Sequence, residues 1–240
     1  MSSGKQHRWK VLGAGVAANA CFSCMVGGVP ATAVYLRSSY QLSGSELGLV
    51  LGILGLGTAI SEIPWGLLTD RWGDRPVLLT GLLSVALVLL LLAADAAHAP
   101  SATSLAIGLC AAGMLGSSVN AASGRAIMLW FHERERGLAM SIRQTAVPGG
   151  YAMGALLMPW LASTYGFKAV FGTGAVLCLM GFTLVAWWIH EPPVMPTRSD
   201  AVRASPLGDR QVWRSAAAIS LLCVPQFAVL TYAAVFFHDA

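Results

Sequence analysis

Charged residues are scarce in this chain: Asp, Glu, Lys and Arg make up only 11% of its 240 residues. Soluble globular domains carry about 25% charged residues. Apolar residues make up 56% of the chain, and its mean hydropathy is +0.66. This composition excludes an ordinary water-soluble domain and indicates a membrane protein, whose principal partner is the lipid bilayer. We expect no nucleic-acid partner.

Motifs that would indicate a metal, a cofactor or catalysis are also missing. The five cysteines lie inside apolar runs, and the Cys21–Cys24 pair has CxxC spacing without a second pair or a nearby histidine. Buried thiols of this kind usually pack as small apolar groups. The sequence contains no HExxH, GxSxG or nucleotide-binding GxxxxGK[ST] motif. We therefore expect no metal, no cofactor and no enzyme activity.

Seven apolar segments are long enough to cross a bilayer, because about 20 mainly apolar residues span its hydrocarbon core. Short polar links, among them His132–Gly137 and Ser163–Lys168, separate the first six segments. The predicted spans are approximately Val11–Leu36, Ser45–Leu68, Val77–Ala94, Ser101–Phe131, Leu138–Ala162, Ala169–Ile189 and Arg214–Phe237. The sequence therefore predicts an all-α membrane protein.

Basic residues lie mostly on one side of these spans. With the amino terminus inside, twelve Lys and Arg residues fall on the inner side and only Arg37 and Lys168 on the outer side. Cytoplasmic loops of membrane proteins carry the excess of Lys and Arg. We therefore predict a protein of the plasma membrane with its amino terminus in the cytoplasm.

The link between the second and third spans is a tight, charged turn. It has the spacing G-x-x-x-D-R-x-G-x-R, formed by Gly66, Asp70, Arg71, Gly73 and Arg75. Gly66 would allow two backbones to approach closely, and Gly73 would allow a turn that other residues resist. The pattern resembles the signature loop between helices two and three of the major facilitator superfamily of secondary transporters. A plain hairpin that obeys the positive-inside rule is the alternative.

This resemblance carries implications for the loop and the fold. In the family, the loop is thought to latch the amino-terminal bundle to the other half and to control the alternation between access states. Asp74 departs from the basic residue that the family usually has there. Family members are built from three-helix repeats. We therefore expect an MFS-type six-helix amino-terminal bundle made of two three-helix repeats, plus a seventh transmembrane helix.

The domain organisation follows from the same resemblance. We expect residues 1–190 to form the six-helix bundle, 191–213 a cytoplasmic linker rich in Pro and charge, and 214–240 the first helix of an incomplete second bundle. Since such a carrier would have twelve spans, the chain is expected to be a fragment. A complete protein with seven spans is the alternative.

Two charged residues lie inside predicted spans. Glu62 and Arg125 are at similar depth, roughly 10–12 Å from the inner ends of their helices at 1.5 Å per residue. A charge at the bilayer centre costs about 2.5–3.5 kcal/mol, so such residues usually pair. We expect an ion pair between Glu62 and Arg125, either coupled to transport or purely structural. Arg125 also resembles the Arg of the fourth span in the family, which is implicated in conformational or proton coupling.

Four polar residues are candidates for a substrate cavity. Asn19 and Asn120 fall near mid-membrane, in the two spans that line the central cavity of the family. Their amides would bind a polar solute or join helices. Arg143 and Gln144 lie near the start of the fifth span, where Arg143 would attract an anion at the inner mouth of the cavity or extend to the membrane surface.

These features favour a secondary carrier that moves a small solute by alternating access. The arginines point to an organic anion if they face the cavity, and an ion gradient, with a proton as the coupling ion, would drive transport. The alternatives are a seven-helix receptor or light-driven pump, a membrane-embedded enzyme, and a truncated fragment that does not transport. A retinal pump is disfavoured because Lys168 is the last lysine and precedes the final span.

Overall fold

The computed structural model describes residues 2–98, 101–190, 208 and 210–239. These residues form eight helices, and the described part contains no strand. The helices are α1 (Ser2–Ala31), α2 (Ala33–Ser39), α3 (Gly44–Trp72), α4 (Asp74–His98), α5 (Ala102–Trp130), α6 (Glu133–Gln144), α7 (Ala146–Trp188) and α8 (Arg210–Asp239). The all-α prediction is confirmed.

Helices α1 to α7 belong to one compact unit, and α8 belongs to a second. Five segments of the described chain are long and apolar enough to cross a membrane, and one of them, Glu133–Trp188, has 56 residues. At 1.5 Å per residue this segment would measure about 84 Å, far more than a hydrocarbon core of about 30 Å. Gly166 interrupts it with φ 74° and ψ −175°. The segment therefore makes two crossings, and the first unit makes six.

The second unit contains α8, which covers the region of the predicted seventh span, Arg214–Phe237. The linker predicted over 191–213 lies for the most part outside the described residues, so the domain boundaries stay a prediction.

Two of the predicted links are wrong in extent. The link expected over His132–Gly137 is helical from Glu133 onward, and the link expected over Ser163–Lys168 is helical except at Gly166. In α6 the acidic side chains of Glu133 and Glu135 occupy the first turn, where they complement the positive end of the helix dipole. The polar composition of these two segments led to the prediction of non-helical links at the membrane surface. Polar residues are compatible with a helix, and both segments are mostly helical.

One end of the bundle collects the start of α1, the α3–α4 turn and the α5–α6 turn. Arg8 of α1 forms an ion pair with Glu135 of α6 at 2.5 Å. Trp130 Nε1, at the end of α5, donates a hydrogen bond to the carbonyl of His190, just after α7, at 3.2 Å. We refer to this side as the α3–α4 end. Arg8, Arg75 and Arg136, three of the basic residues counted on the inner side, lie at this end.

Glycines bring α1 and α7 into close contact. A Cβ added to Gly154 would lie 2.1 Å from the carbonyl oxygen of Cys24, and one added to Gly150 would lie 2.6 Å from that of Ala20. Small residues at helix crossings are typical of membrane bundles, because lipid supplies no hydrophobic drive and close packing must hold the helices. The contact between α1 and α7 fixes the position of α7, which directly follows α6 and its polar side chains.

Candidate functional site

The charged turn between α3 and α4 consists of one non-helical residue. Gly73 has φ 90° and ψ 171°, and its N–H donates to the carbonyl of Thr69 at 3.0 Å. Glycine adopts positive φ without steric cost, so the backbone reverses here and α4 begins at once with Asp74. The turn therefore uses Gly73 as the sequence predicted.

The other residues of the motif differ in their surroundings. A Cβ on Gly66 would meet nothing within 4 Å among the described residues, so the predicted role of Gly66 in close helix approach is wrong for this structure. Arg75 Nη2 donates to the carbonyl of Ala186 in the last turn of α7 at 3.1 Å. Arg71 and Asp70 are exposed. Arg75 therefore ties the turn to the end of the sixth crossing.

Arg125 of α5 contacts the acidic side chains on both sides of the α3–α4 turn. Its Nη1 donates to Asp74 Oδ1 at 3.0 Å and to the carbonyl of Thr69 at 3.0 Å, and its Nε lies 3.4 Å from Asp70 Oδ1. Asp74 is buried, with its side chain 7% exposed. The ion pair predicted between Arg125 and Glu62 is therefore wrong. Equal depth permitted that pair, but the long Arg125 side chain extends to the carboxylates at the helix ends.

Glu62 has a neutral partner, the amide of Asn120. Asn120 Nδ2 donates to Glu62 Oε1 at 3.0 Å, while Asn120 Oδ1 accepts from Arg143 Nη2 at 2.9 Å. Asn19 Nδ2 approaches the same Oδ1 at 3.5 Å and is itself buried beside Ser23. The amide of Asn120 therefore joins a carboxylate on α3 to a guanidinium on α6.

Arg143 is buried, with 5% of its surface exposed. Among the described residues, its guanidinium donates only to neutral groups of three residues, Ser123, Asn120 and Gln144. The contacts are Nε to Ser123 Oγ (3.1 Å), Nη1 to Gln144 Oε1 (2.7 Å), and Nη2 to the Asn120 carbonyl (2.8 Å), Asn120 Oδ1 (2.9 Å) and Ser123 Oγ (3.0 Å). Because Nη1 carries two hydrogens and donates one within the described chain, one N–H can bind an acceptor outside these residues.

These side chains line a cavity of about 500 Å³, which we call the polar pocket. Its lining residues are Glu62, Asn120, Ala121, Arg143, Gln144, Val147 and Pro148. The structure thus brings together Glu62 and three of the four residues proposed for a cavity, whereas Asn19 stands behind Asn120 and Arg125 lies at the α3–α4 end. Among the described residues, no group of three or more His, Cys, Asp or Glu side chains has a metal-binding arrangement.

Sequence reasoning missed several of the residues that build these sites. Asp74 was noted only as a departure from a family pattern, although an acid directly after a turn glycine is well placed in the first turn of a helix. Ser123, a small polar residue in an apolar span, accepts hydrogen bonds from Arg143 at 3.0 and 3.1 Å. Its spacing from Arg143 gives no sign of this contact, because the two lie on different helices.

Six apolar crossings, a polar pocket near mid-membrane by residue count and a charged turn at one end define an α-helical membrane protein of the secondary-transporter class. The Major Facilitator Superfamily model matches residues 16–240, and the chain belongs to this family. The protein is therefore an integral membrane protein whose predicted family is confirmed.

Several relatives with curated descriptions resemble the chain. An uncharacterized MFS-type transporter of Mycobacterium tuberculosis is 32% identical over 228 residues, which cover 94% of this chain and 50% of the relative. A multidrug resistance protein of Dickeya zeae is 30% identical over 165 residues, covering 69% of this chain and 38% of the relative. A probable galactarate/D-glucarate transporter of Escherichia coli is 30% identical over 165 residues, covering 66% and 36%. The chain thus spans about half the length of the mycobacterial relative, and the matches to the other two relatives cover less than half of their length.

Proposed function

We propose that this chain carries the binding site of a secondary transporter that moves a small organic anion by alternating access, coupled to a proton gradient. The observation that carries the proposal is the buried guanidinium of Arg143, whose hydrogen-bond acceptors in the described part of the chain are all neutral groups. A charged side chain inside a membrane protein is costly and usually pairs or marks a pathway. A carboxylate or phosphate in the polar pocket would accept a hydrogen bond directly from this guanidinium, whereas Glu62 is connected to it only through the amide of Asn120.

The arginine is well suited to this role. Its contacts with Ser123 and Asn120 fix the plane of the guanidinium before a ligand binds. Planar, pre-oriented guanidinium groups bind carboxylates and phosphates through charge-assisted hydrogen bonds. Gln144 is exposed in the same pocket and holds Nη1 through its side-chain oxygen, so an anion would meet both groups.

Glu62 is the group that we propose for proton coupling. It lines the same pocket, and its charge interacts with that of Arg143. With Glu62 ionised, the charges of Glu62 and Arg143 cancel, so an anion gains little electrostatic binding energy in the pocket. With Glu62 protonated, the pocket has one net positive charge and attracts an anion. Proton and anion would therefore bind together and move in the same direction.

The turn between α3 and α4 is proposed to gate the conformational change. Arg125 binds both Asp70 and Asp74, and Arg75 binds the end of α7, so α3, α4, α5 and α7 are joined at one end of the bundle. A change of access state would open or rearrange these contacts. We propose that this end faces the cytoplasm of a cell whose plasma membrane holds the protein, because the basic residues cluster there.

Relatives with different descriptions suggest different substrates. The Escherichia coli relative is described as a transporter of two sugar acids, and the Dickeya zeae relative as a multidrug resistance protein. The polar pocket favours the acids, because Arg143 would repel a lipophilic cation.

Ligand binding by the purified chain in detergent is the first test. Galactarate should raise the unfolding temperature, and tetraphenylphosphonium should not. Arg143→Gln should weaken galactarate binding about tenfold or more, since a charged hydrogen bond contributes about 1.5–3 kcal/mol. The matched control is Arg134→Gln, an exposed arginine of α6 outside the pocket. Equal galactarate affinity in the Arg143→Gln variant and the unsubstituted chain would reject the anion site.

Uptake into proteoliposomes tests coupling and transport. We expect galactarate uptake to increase when the proton gradient is directed in the same sense as the substrate. Glu62→Gln should still bind galactarate, with an affinity that no longer changes with pH. A pH-dependent affinity in that variant equal to that of the unsubstituted chain would exclude Glu62 as the coupling group.

A further inference from the structure

A second cavity lies beside the polar pocket, toward the α3–α4 end. It has a volume of about 470 Å³, and we call it the arginine pocket because three arginines line it. Its lining residues are Asn120, Gly124, Arg125, Met128, Leu129, Arg136, Met140 and Arg143. Asn120 and Arg143 also line the polar pocket, so the two cavities share one wall.

The three arginines of this pocket differ in how their charge is balanced. Arg125 is neutralised by Asp74 and Asp70 at the α3–α4 turn. Arg143 donates to neutral groups, as described above. Within the described residues, no carboxylate lies within ion-pair distance of Arg136, which is half-buried. Within the described residues, Arg136 and Arg143 therefore make no direct hydrogen bond to a carboxylate, and each can donate one to an anion.

Arg136 is also held in place by the protein. Its Nε donates to the carbonyls of Met128 and Phe131, each at 3.0 Å, and so satisfies backbone acceptors at the end of α5. These two bonds use only Nε, so within the described part of the chain both terminal nitrogens keep their hydrogens for other acceptors. The structure thus anchors the side chain and leaves its hydrogen-bonding edge open.

Arg136 and Arg143 occupy the same face of α6. Seven residues make almost two full turns, so the two positions lie about 10 Å apart along the helix axis. Both guanidinium groups are anchored on α5, Arg136 by the carbonyls of Met128 and Phe131 and Arg143 by Asn120 and Ser123, so the protein sets their separation. The spacing suits a short molecule with an anionic group at each end, and it does not suit two contacts with one carboxylate.

We infer that the arginine pocket is a second anion subsite, and that Arg136 and Arg143 together select dicarboxylates over monocarboxylates. The inference rests on the proposed function, because Arg143 is the anion ligand in both. One carboxylate binds Arg143 at the wall between the pockets, and the other binds Arg136. A monocarboxylate uses Arg143 alone.

Succinate and butyrate provide a matched pair of probes, because both have four carbons and only succinate has a carboxylate at each end. Isothermal titration of the purified chain in detergent should give succinate an affinity about tenfold or more above that of butyrate. Arg136→Gln should remove most of this preference and leave butyrate affinity unchanged. Arg136→Lys keeps the charge and should retain a clear part of the preference. Arg134→Gln serves as the control and should behave like the unsubstituted chain.

The outcomes separate this inference from the proposed function. If Arg143→Gln abolishes the binding of both acids and Arg136→Gln keeps the preference for succinate, the second subsite is rejected and the anion site stands. If the unsubstituted chain binds butyrate as tightly as succinate, the second subsite is likewise rejected. If it binds neither acid nor galactarate, the proposed function fails and the inference fails with it. Arg136→Gln removes two hydrogen bonds at the end of α5, so the circular dichroism and unfolding temperature of this variant are measured first. If Arg136→Gln is unfolded, the succinate preference of Arg136→Lys decides the question.

Discussion

Arg125 donates a hydrogen bond to Asp74 at 3.0 Å, which joins the fourth crossing to the first residue of the third. The same guanidinium lies 3.4 Å from Asp70 at the end of α3. One cation therefore balances two acids that flank the turn glycine. Asp74 is buried, and Arg125 supplies a cation beside its carboxylate.

This contact predicts how substitutions should combine. Arg125→Gln and Asp74→Asn should each lower the free energy of unfolding by about 2 kcal/mol, because each removes the charged hydrogen bond between Arg125 and the buried Asp74. The double variant should lose much less than the sum. Glu62→Gln combined with Arg125→Gln should be additive, since those side chains bind different partners. Chemical unfolding in detergent measures all of these values, and additivity of Arg125→Gln with Asp74→Asn would contradict the ion pair.

A second prediction compares two glycines in helices. Gly154→Ala should destabilise the bundle by about 1–3 kcal/mol, because its Cβ would lie 2.1 Å from the backbone oxygen of Cys24. Gly66→Ala should be neutral or should stabilise α3 by up to about 1 kcal/mol, because the new Cβ meets open space. Unfolding temperatures of the two variants test this difference. A loss of stability in Gly66→Ala as large as in Gly154→Ala would show that Gly66 packs closely.

A third prediction concerns the break between the fifth and sixth crossings. Gly166 has φ 74° and ψ −175°, a conformation that is almost confined to glycine. Gly166→Ala should therefore cost about 1–3 kcal/mol in the free energy of unfolding. Gly172→Ala is the control, because Gly172 is helical and a Cβ there meets nothing within 4 Å. Equal stability of the two variants would mean that the chain turns at another residue.

The fourth prediction is a pH effect at the other end of the bundle. Tyr40 is buried against the ring of Phe167, and burial, with a smaller effect of the charge of Asp95, raises the pKa of the Tyr40 phenol to about 12. An unfolded tyrosine has a pKa of about 10. Above that pH the unfolded chain loses a proton that the folded protein keeps, so stability should fall between about pH 10 and pH 12.

Tyr40→Phe tests this effect, because it removes the titrating group. Its unfolding temperature should decline less between about pH 9 and pH 11 than that of the unsubstituted chain. Tyr165→Phe, at an exposed tyrosine, should leave the decline unchanged. A decline in Tyr40→Phe as steep as in the unsubstituted chain would assign the effect to another group.

The crossings could be predicted from sequence, because apolar length is a local property. The predicted fourth span, Ser101–Phe131, agrees with α5 to one residue at each end. Link lengths could not be predicted, because charged residues such as Glu133 end a hydrophobic run without ending a helix. The position of the turn at Gly73 was predictable, since a positive φ imposes a local demand for glycine.

Side-chain contacts between different helices were harder to predict than the position of a residue along its own helix. Counting residues placed Glu62 and Arg125 at one depth, but depth does not fix the direction in which a helix face points. Asn120 was selected by its position along the fourth span, whereas its contact with Arg143 depends on how two helices cross. The selection of Arg136 required the structure, since its sequence context resembles that of its exposed neighbour Arg134.

Asn120 and Arg125 are carried by the same helix, about 7.5 Å apart along its axis. Asn120 holds the shared wall of the two cavities, and Arg125 holds the acids of the turn. A few degrees of rotation of α5 about its axis would displace both side chains in one movement. Under the proposed function, solute binding at the shared wall and the opening of the contacts between Arg125 and the acids of the turn would therefore be coupled through the movement of one helix.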